Sequence, residues 1–219
     1  MRTFVISDIH GNDELFRKSL KQLAFKKSDR LILLGDVIDR GINSKGVLDT
    51  IFLLKESGLT IECLMGNHEK MFIDAFLNPN NLNHWLLNGG DKTLSSFLTS
   101  SIEKIPLKYV ELIKTFKYFR EYEDYILVHA ALNMKIENPY SDLQTLLWER
   151  DPYKYFDKEW LGNRKLIHGH NPQTQNSILK SIEMGENILC IDNGAYLKKE
   201  NYGSMCVLQL ENLKTSFIK

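Results

Sequence analysis

The feature that most constrains this chain is a series of short apolar runs, most of which end in polar residues. FVIS (4–7), RLILL (30–34), TIECLM (60–65), YILV (125–128), KLI (165–167), ILCI (188–191) and SMCVLQL (204–210) have strand length and strand-forming composition. Asp8 and His10 follow the first run, and Asp36, Asp39 and Arg40 the second. Asn67, His68 and Glu69 follow the third, His129 the fourth, His168 and His170 the fifth, Asp192 and Asn193 the sixth. Five of the six histidines in the chain hold such positions, His84 alone standing elsewhere. The carboxyl ends of strands in parallel or mixed sheets are where ligands gather.

Helical patterns separate the first three runs. Leu15, Phe16, Leu20, Leu23 and Ala24 recur at three- and four-residue spacing, as do Val47, Leu48, Ile51, Phe52 and Leu54. Asp13 and Ser44 are the expected N-caps, and Gly58 closes the second helix. The N-terminal third therefore reads β-α-β-α-β. Residues 71–120 read as a helical insertion, broken at NPNN (78–81) and near Pro106, and the chain then returns to strands around a loop at 151–157. No Gly/Ser linker divides these parts, so residues 1–219 are expected to form one domain.

Composition matters mainly for what it excludes. Lys plus Arg and Asp plus Glu number 28 each, so no net field draws the chain to nucleic acid or an anionic membrane. The start, MRTFVISD, lacks the pattern of a signal peptide, and no apolar stretch is long enough to span a bilayer. Cys63, Cys190 and Cys206 lie inside apolar runs without CxxC spacing and read as small buried hydrophobes in a reducing compartment. A cytoplasmic location is the expectation.

Each strand-end motif taken singly has a plain structural reading. Asp-x-His can be a helix-entry turn, Gly-Asn-His-Glu a turn with a capping Asn, and Glu69 a buttress for its loop. Taken together, Asp, His and Asn donors at successive strand ends supply mixed oxygen and nitrogen ligands. That mixture suits two first-row divalent cations, manganese first with iron or zinc as alternatives, and suits calcium badly. A carboxylate shared between two ions would make a hydrolytic centre.

The motifs DIHG, GDVIDRG, GNHE, VHA and HGH, in that order, resemble the phosphoprotein phosphatase branch of the calcineurin-like metallophosphoesterases. WLLNGGDKT (85–93) and LLWERDP (146–152) extend the resemblance, which is strongest to short bacterial and phage serine/threonine phosphatases and spans residues 3–195. It implies an α+β fold, a four-layer α/β/β/α sandwich of two mixed sheets flanked by helices. It implies one metal held by Asp8, His10 and a bridging Asp36, and a second held by Asp36, Asn67, His129 and His170. His68 matches the general acid and Asp39 the carboxylate that orients it, while Arg40 and Arg150, with Asn67, would hold the phosphoryl group. The implied reaction is in-line attack of a metal-bridging hydroxide on a phosphoprotein or a phosphorylated small molecule, without a phospho-enzyme.

The same scaffold also serves symmetrical diadenosine tetraphosphate hydrolases, and a non-catalytic metal-binding scaffold is a further alternative. A nuclease would call for an extended basic groove, which the neutral composition does not suggest. His168 is expected to make an outer hydrogen bond rather than bind metal. Asp192 and Asn193 read as a turn; His84, Trp85, Trp148, Tyr153, Tyr155 and Phe156 read as packing. Ala131 after VHA and Asn171 after HGH depart from the family's usual Gly and Thr.

Overall fold

The computed structural model describes residues 1–219. Strands β1 (Thr3–Ile6), β2 (Arg30–Leu33) and β3 (Thr60–Cys63) are linked by helices α1 (Asp13–Gln22) and α2 (Ser44–Glu56). They pair in parallel in the order β3-β2-β1. β8 (Met205–Gln209) adds antiparallel to β1, and β9 (Lys214–Ile218) adds antiparallel to β8. A second sheet has the order β4-β5-β6-β7, from Phe119–Tyr122, Tyr125–Val128, Lys165–His168 and Ile188–Cys190. β5, β6 and β7 run parallel and β4 antiparallel, so both sheets are mixed.

Two-residue periodicity explains why the sheets stack. Val5, Ile32, Leu127, Ile167, Leu189, Cys206 and Leu208 belong to a 12-residue cluster shared by the two sheets. Their strand neighbours Phe4, Ile6, Leu31, Ile126, Leu166, Ile188 and Val207 belong to a 39-residue cluster with helical residues such as Phe16, Val47, Ile51, Leu146 and Leu161. Successive side chains point to opposite faces, so one face of each sheet meets the other sheet and the opposite face meets helices. The expected fold class is the observed one. No helix is long and apolar enough to cross a membrane.

Several boundaries differ from expectation. Asn43, rather than Ser44, caps α2, its side chain accepting from the Gly46 N–H; Asn12 holds the N-cap position of α1, so Asp13 is its first residue. The helical stretch between the sheets contains α3 (Asn67–Leu77), α4 (Leu82–Trp85), α5 (Asp91–Ser96) and α6 (Leu107–Lys114). It therefore ends before residues 119–120, which are strand. Strands β4 and β9 and helices α7 (Leu143–Trp148), α8 (Lys158–Leu161) and α9 (Gln175–Glu183) lie where no element is expected from the apolar pattern.

Candidate active site

The loops leaving β1, β2, β3, β5 and β6 meet at one end of the sandwich, and they do so in strained backbone. Asp8, His10, Asp36, Asp39, Arg40 and His170 all have φ between +44° and +68°. Non-glycine residues seldom adopt this region, at a cost of order 1–3 kcal/mol each, and such residues concentrate at functional sites. Close packing of the loops helps hold them there. A Cβ on Gly35 would fall 2.5 Å from the Gly66 backbone nitrogen, so the loops after β2 and β3 can touch only as glycine on glycine.

Glu69 fixes this junction. Its buried carboxylate accepts from the backbone N–H groups of Gly66 (3.0 Å), Asp36 (2.8 Å), Val37 (2.8 Å) and Ile38 (3.2 Å). The buttress reading of Glu69 is the one its contacts support. The first turn of α3 also holds Asp36, whose Oδ1 accepts from the His68 N–H at 3.1 Å. A helix N-terminus favours a carboxylate.

Asp36 stands between two sets of nitrogen donors. His10 Nε2 is 3.5 Å from its Oδ2, and His129 Nε2 is 3.5 Å from its Oδ1. His129 Nε2 also lies 3.0 Å from Asn67 Oδ1 and 3.1 Å from His170 Nδ1. The ring tautomers follow from the remaining contacts. His10 Nδ1 faces the Ile38 carbonyl at 3.0 Å and His129 Nδ1 the Leu34 carbonyl at 2.9 Å. A carbonyl only accepts, so each Nδ1 carries the proton and each Nε2 presents a lone pair. Lone pairs of His129, Asn67 and Asp36 therefore converge on one another, which a cation resolves and a dry interior does not. Ligand atoms of Asp36, His129 and His170 lie within 4.8 Å of one another, as do those of His10, Asp36 and His68. Asp36 is common to both groups, and the donor set fits two divalent ions sharing it.

Electrostatics agree. Burial raises the Asp36 carboxyl well above its ordinary range, and the Asp8 charge adds to the shift. Burial pushes His170 down to about 2, with the charges of His129 and Arg150 contributing. Burial likewise holds His10 and His68 well below the usual imidazole value. Crowded carboxylates that resist ionising and imidazoles that resist protonation are groups a dication would stabilise in their ligand forms.

Asp8 lies slightly apart: its carboxylate accepts from the His170 N–H at 3.0 and 3.1 Å and from the Ser7 hydroxyl. His68 Nδ1 is 2.8 Å from Asp39 Oδ2, while its buried Nε2 has no partner and lies 3.9 Å from Asp36 Oδ2. Arg40 directs Nη1 to His10 Nε2 (3.0 Å) and to the Tyr196 hydroxyl (2.9 Å). Arg150 is exposed just beyond α7, its carbonyl accepting from Asn171 Nδ2 at 3.1 Å. His168 makes a 3.0 Å contact from Nδ1 to the Gly169 carbonyl and is not among the converging ligand atoms.

Three residues bear on the site in ways the sequence did not reveal. Trp85, expected only to pack, donates Nε1–H to both Asp39 oxygens (3.2 and 3.0 Å), and the Thr93 hydroxyl donates at 2.6 Å. Both lie in WLLNGGDKT, which was the available signal. The Tyr196 ring lies 4.8 Å from that of His10 and 4.8 Å from the Arg40 guanidinium carbon. Nothing but its nearness to Asp192 and Asn193 marks it in the sequence.

A family model described as "Calcineurin-like phosphoesterase" matches residues 1–201. Serine/threonine-protein phosphatase 2 of Salmonella typhimurium is 35% identical over 161 residues, 68% of this chain and 67% of that protein. Serine/threonine-protein phosphatase 2 of Escherichia coli is 44% identical over 89 residues, 40% of this chain. That match, like the one to Salmonella serine/threonine-protein phosphatase 1, spans only 38% of the relative's length. The symmetrical bis(5'-nucleosyl)-tetraphosphatase of Nitrosomonas europaea is 27% identical over 169 residues, 74% of this chain and 58% of that protein. Among solved structures, a Saccharomyces cerevisiae protein serine/threonine phosphatase superposes with a TM-score of 0.67 at 13% identity, covering 100% of this chain and 80% of that one.

Proposed function

The chain belongs to the calcineurin-like phosphoesterase family, and from that premise we propose that it is a serine/threonine protein phosphatase acting on phosphoprotein through two metal ions, manganese first. One observation carries the reading: the buried His68–Asp39 pair stands beside Asp36, with an unpartnered imidazole nitrogen facing the site. The proposed ligands are Asp8, His10 and Asp36 for one ion and Asp36, Asn67, His129 and His170 for the other. Bound divalent ions would supply water of lowered pKa, about 7, and neutralise phosphoryl charge.

The protein's own groups do the rest. Arg40 and Arg150 offer planar forks that match phosphoryl oxygens two at a time. Were His10 Nε2 taken up as a metal ligand, Arg40 Nη1, now 3.0 Å from it, would be free to turn toward the phosphoryl group. His68 would act as the imidazolium, which the Asp39 carboxylate at Nδ1 favours against burial, giving its Nε2 proton to the departing alkoxide while Asp39 keeps the ring's orientation. Residues 1–219 act as one domain with a helical insertion, and the cytoplasm is the proposed compartment.

A second reading is a symmetrical diadenosine tetraphosphatase, favoured by the likeness to the Nitrosomonas protein. The test compares rates on phosphoserine, phosphothreonine and phosphotyrosine peptides and on diadenosine tetraphosphate with manganese present. Preference for phosphoserine or phosphothreonine supports the phosphatase reading, and preference for the dinucleotide replaces it.

A further inference from the structure

Helices α4 and α5 bring two buried side chains to Asp39. Trp85 ends α4 and Thr93 lies in α5, and both are buried. Gly90, between them in sequence, is packed under the indole, where a Cβ would overlap the ring carbons of Trp85. The glycine lets the indole lie against the backbone with Nε1 turned to Asp39.

The directions of the protons follow from counting donors and acceptors. An ionised carboxylate only accepts, so the Thr93 hydroxyl gives its one proton to Asp39 Oδ1 at 2.6 Å. Thr93 Oγ1 is then the acceptor for the Ser44 hydroxyl at 2.8 Å and for the Asp39 N–H at 3.0 Å. The chain Ser44–Thr93–Asp39 therefore runs one way, toward the carboxylate. Trp85 Nε1–H is shared between the two Asp39 oxygens, and His68 Nδ1 meets Oδ2 at 2.8 Å.

The charge of these donors matters as much as their direction. A buried carboxylate is ordinarily paired with a cation. Asp39 has His68 as its ion-pair partner, whereas Trp85 and Thr93 are neutral. They favour the ionised carboxylate and fix its plane without neutralising it, so its charge stays available to a protonated His68. The need of a buried indole N–H for an acceptor would account for Trp85 alone. It does not account for a second donor whose own direction is set by Ser44.

We propose that Trp85 and Thr93, the latter directed by Ser44, are positioning residues for the proton donor, holding Asp39 as a fixed anion against His68. Neither is among the proposed metal ligands or phosphate-binding groups. The inference rests on the proposed role of His68.

The test compares two substrates on the manganese-loaded full chain: a phosphoserine peptide, whose alkoxide needs a proton, and p-nitrophenyl phosphate, whose phenolate does not. Thr93→Val keeps the shape of the side chain and removes the hydroxyl. It should lower kcat on the peptide about tenfold with KM little changed, and lower the p-nitrophenyl phosphate rate by no more than about twofold. Thr93→Ser restores the hydroxyl and should recover most of that loss. Trp85→Phe should show the same dependence on substrate. In a His68→Asn background, Thr93→Val should slow the peptide reaction no further, because the group it positions is gone. Equal losses on the two substrates, no recovery in Thr93→Ser, or a further loss in the His68→Asn background overturns the proposal. His68→Asn alone separates this proposal from the reading beneath it. Equal losses there remove His68 from proton transfer and the positioning role with it, whereas a peptide-selective loss there but none in Thr93→Val overturns the positioning role only.

Discussion

Nδ1 of His68 lies 2.8 Å from Oδ2 of Asp39, and neither side chain reaches solvent. Asp39 is itself held by Trp85 and Thr93, so the carboxylate cannot swing away from the imidazole. Burial raises its carboxyl to about 7, opposed by those two donors, and the Nδ1–H of His68 adds a partner for its ionised form. The arrangement suits the proton-donor role proposed for His68, since it fixes the ring's orientation.

The first prediction follows from that role. His68→Asn should lower kcat by about 10²–10⁴-fold on a phosphoserine peptide, whose alkoxide needs a proton. The loss on p-nitrophenyl phosphate should be much smaller, because p-nitrophenolate leaves unprotonated. Rates on the two substrates with the same enzyme preparation check this, and equal losses would remove His68 from proton transfer.

Glu69 gives a stability prediction. Its two oxygens receive four backbone N–H groups, two on each oxygen. Glu69→Gln keeps one acceptor oxygen and sets an amide NH₂ against the other two donors. At about 1–3 kcal/mol per buried unsatisfied group, the variant should lose roughly 2–4 kcal/mol in urea denaturation. The loop carrying Asp36 should loosen with it, lowering metal affinity more than a surface substitution does.

The strand-end loops were legible because their chemistry is local: His, Asp and Asn stand directly after apolar runs, and positions within each motif fix what faces what. Contacts made across the chain were not. Trp85 reaches Asp39 over 46 residues and Tyr196 reaches Arg40 over 156, distances over which sequence carries no geometric signal. Ser44 looks like an N-cap, but its hydroxyl accepts from the Asp39 N–H and meets Thr93, leaving Asn43 to cap α2. Strands β4 and β9, reading FREY and KTSFI, lack a continuous apolar run because almost none of their residues is fully buried. Helix α9 buries only Ile178 fully, so it lacks the run of apolar residues that marks α2.

Metal content provides the third prediction. Asp36 faces both nitrogen groups, so Asp36→Asn should reduce bound manganese from about two equivalents to below one, whereas His129→Ala should spare the group around His10. Equilibrium dialysis with elemental analysis reads both. His84→Ala, outside both groups, should bind like the wild type.

The Arg2–Asp29 pair gives a pH prediction away from the site. Asp29 accepts from Arg2 Nε (3.0 Å) and Nη2 (2.6 Å) and from the Lys26 N–H (3.1 Å). The Arg2 hydrogen bonds hold its carboxyl below the ordinary range. A depressed folded pKa means the stabilisation is complete above the unfolded value, about 3.9, and is lost as pH falls through the folded one. Asp29→Asn should therefore cost about 1–3 kcal/mol at neutral pH, and the gap to the wild type should close in strong acid. Denaturation curves at pH 7 and in the acid range check the sign.

Tyr196 should act on substrate affinity through Arg40. The phenol oxygen accepts from Arg40 Nη1 at 2.9 Å, and the guanidinium carbon sits 4.8 Å from the ring, so one side chain both bonds the cation and stacks on it. Tyr196→Phe keeps the stacking and removes one hydrogen bond, worth about 0.5–1.5 kcal/mol, which predicts a KM raised roughly two- to tenfold with kcat little changed. Arg40→Lys removes the planar fork itself and should lower kcat/KM far more. If Tyr196→Phe instead lowers kcat at constant KM, the tyrosine acts on the transition state through His10, whose ring it also touches, rather than on phosphate capture.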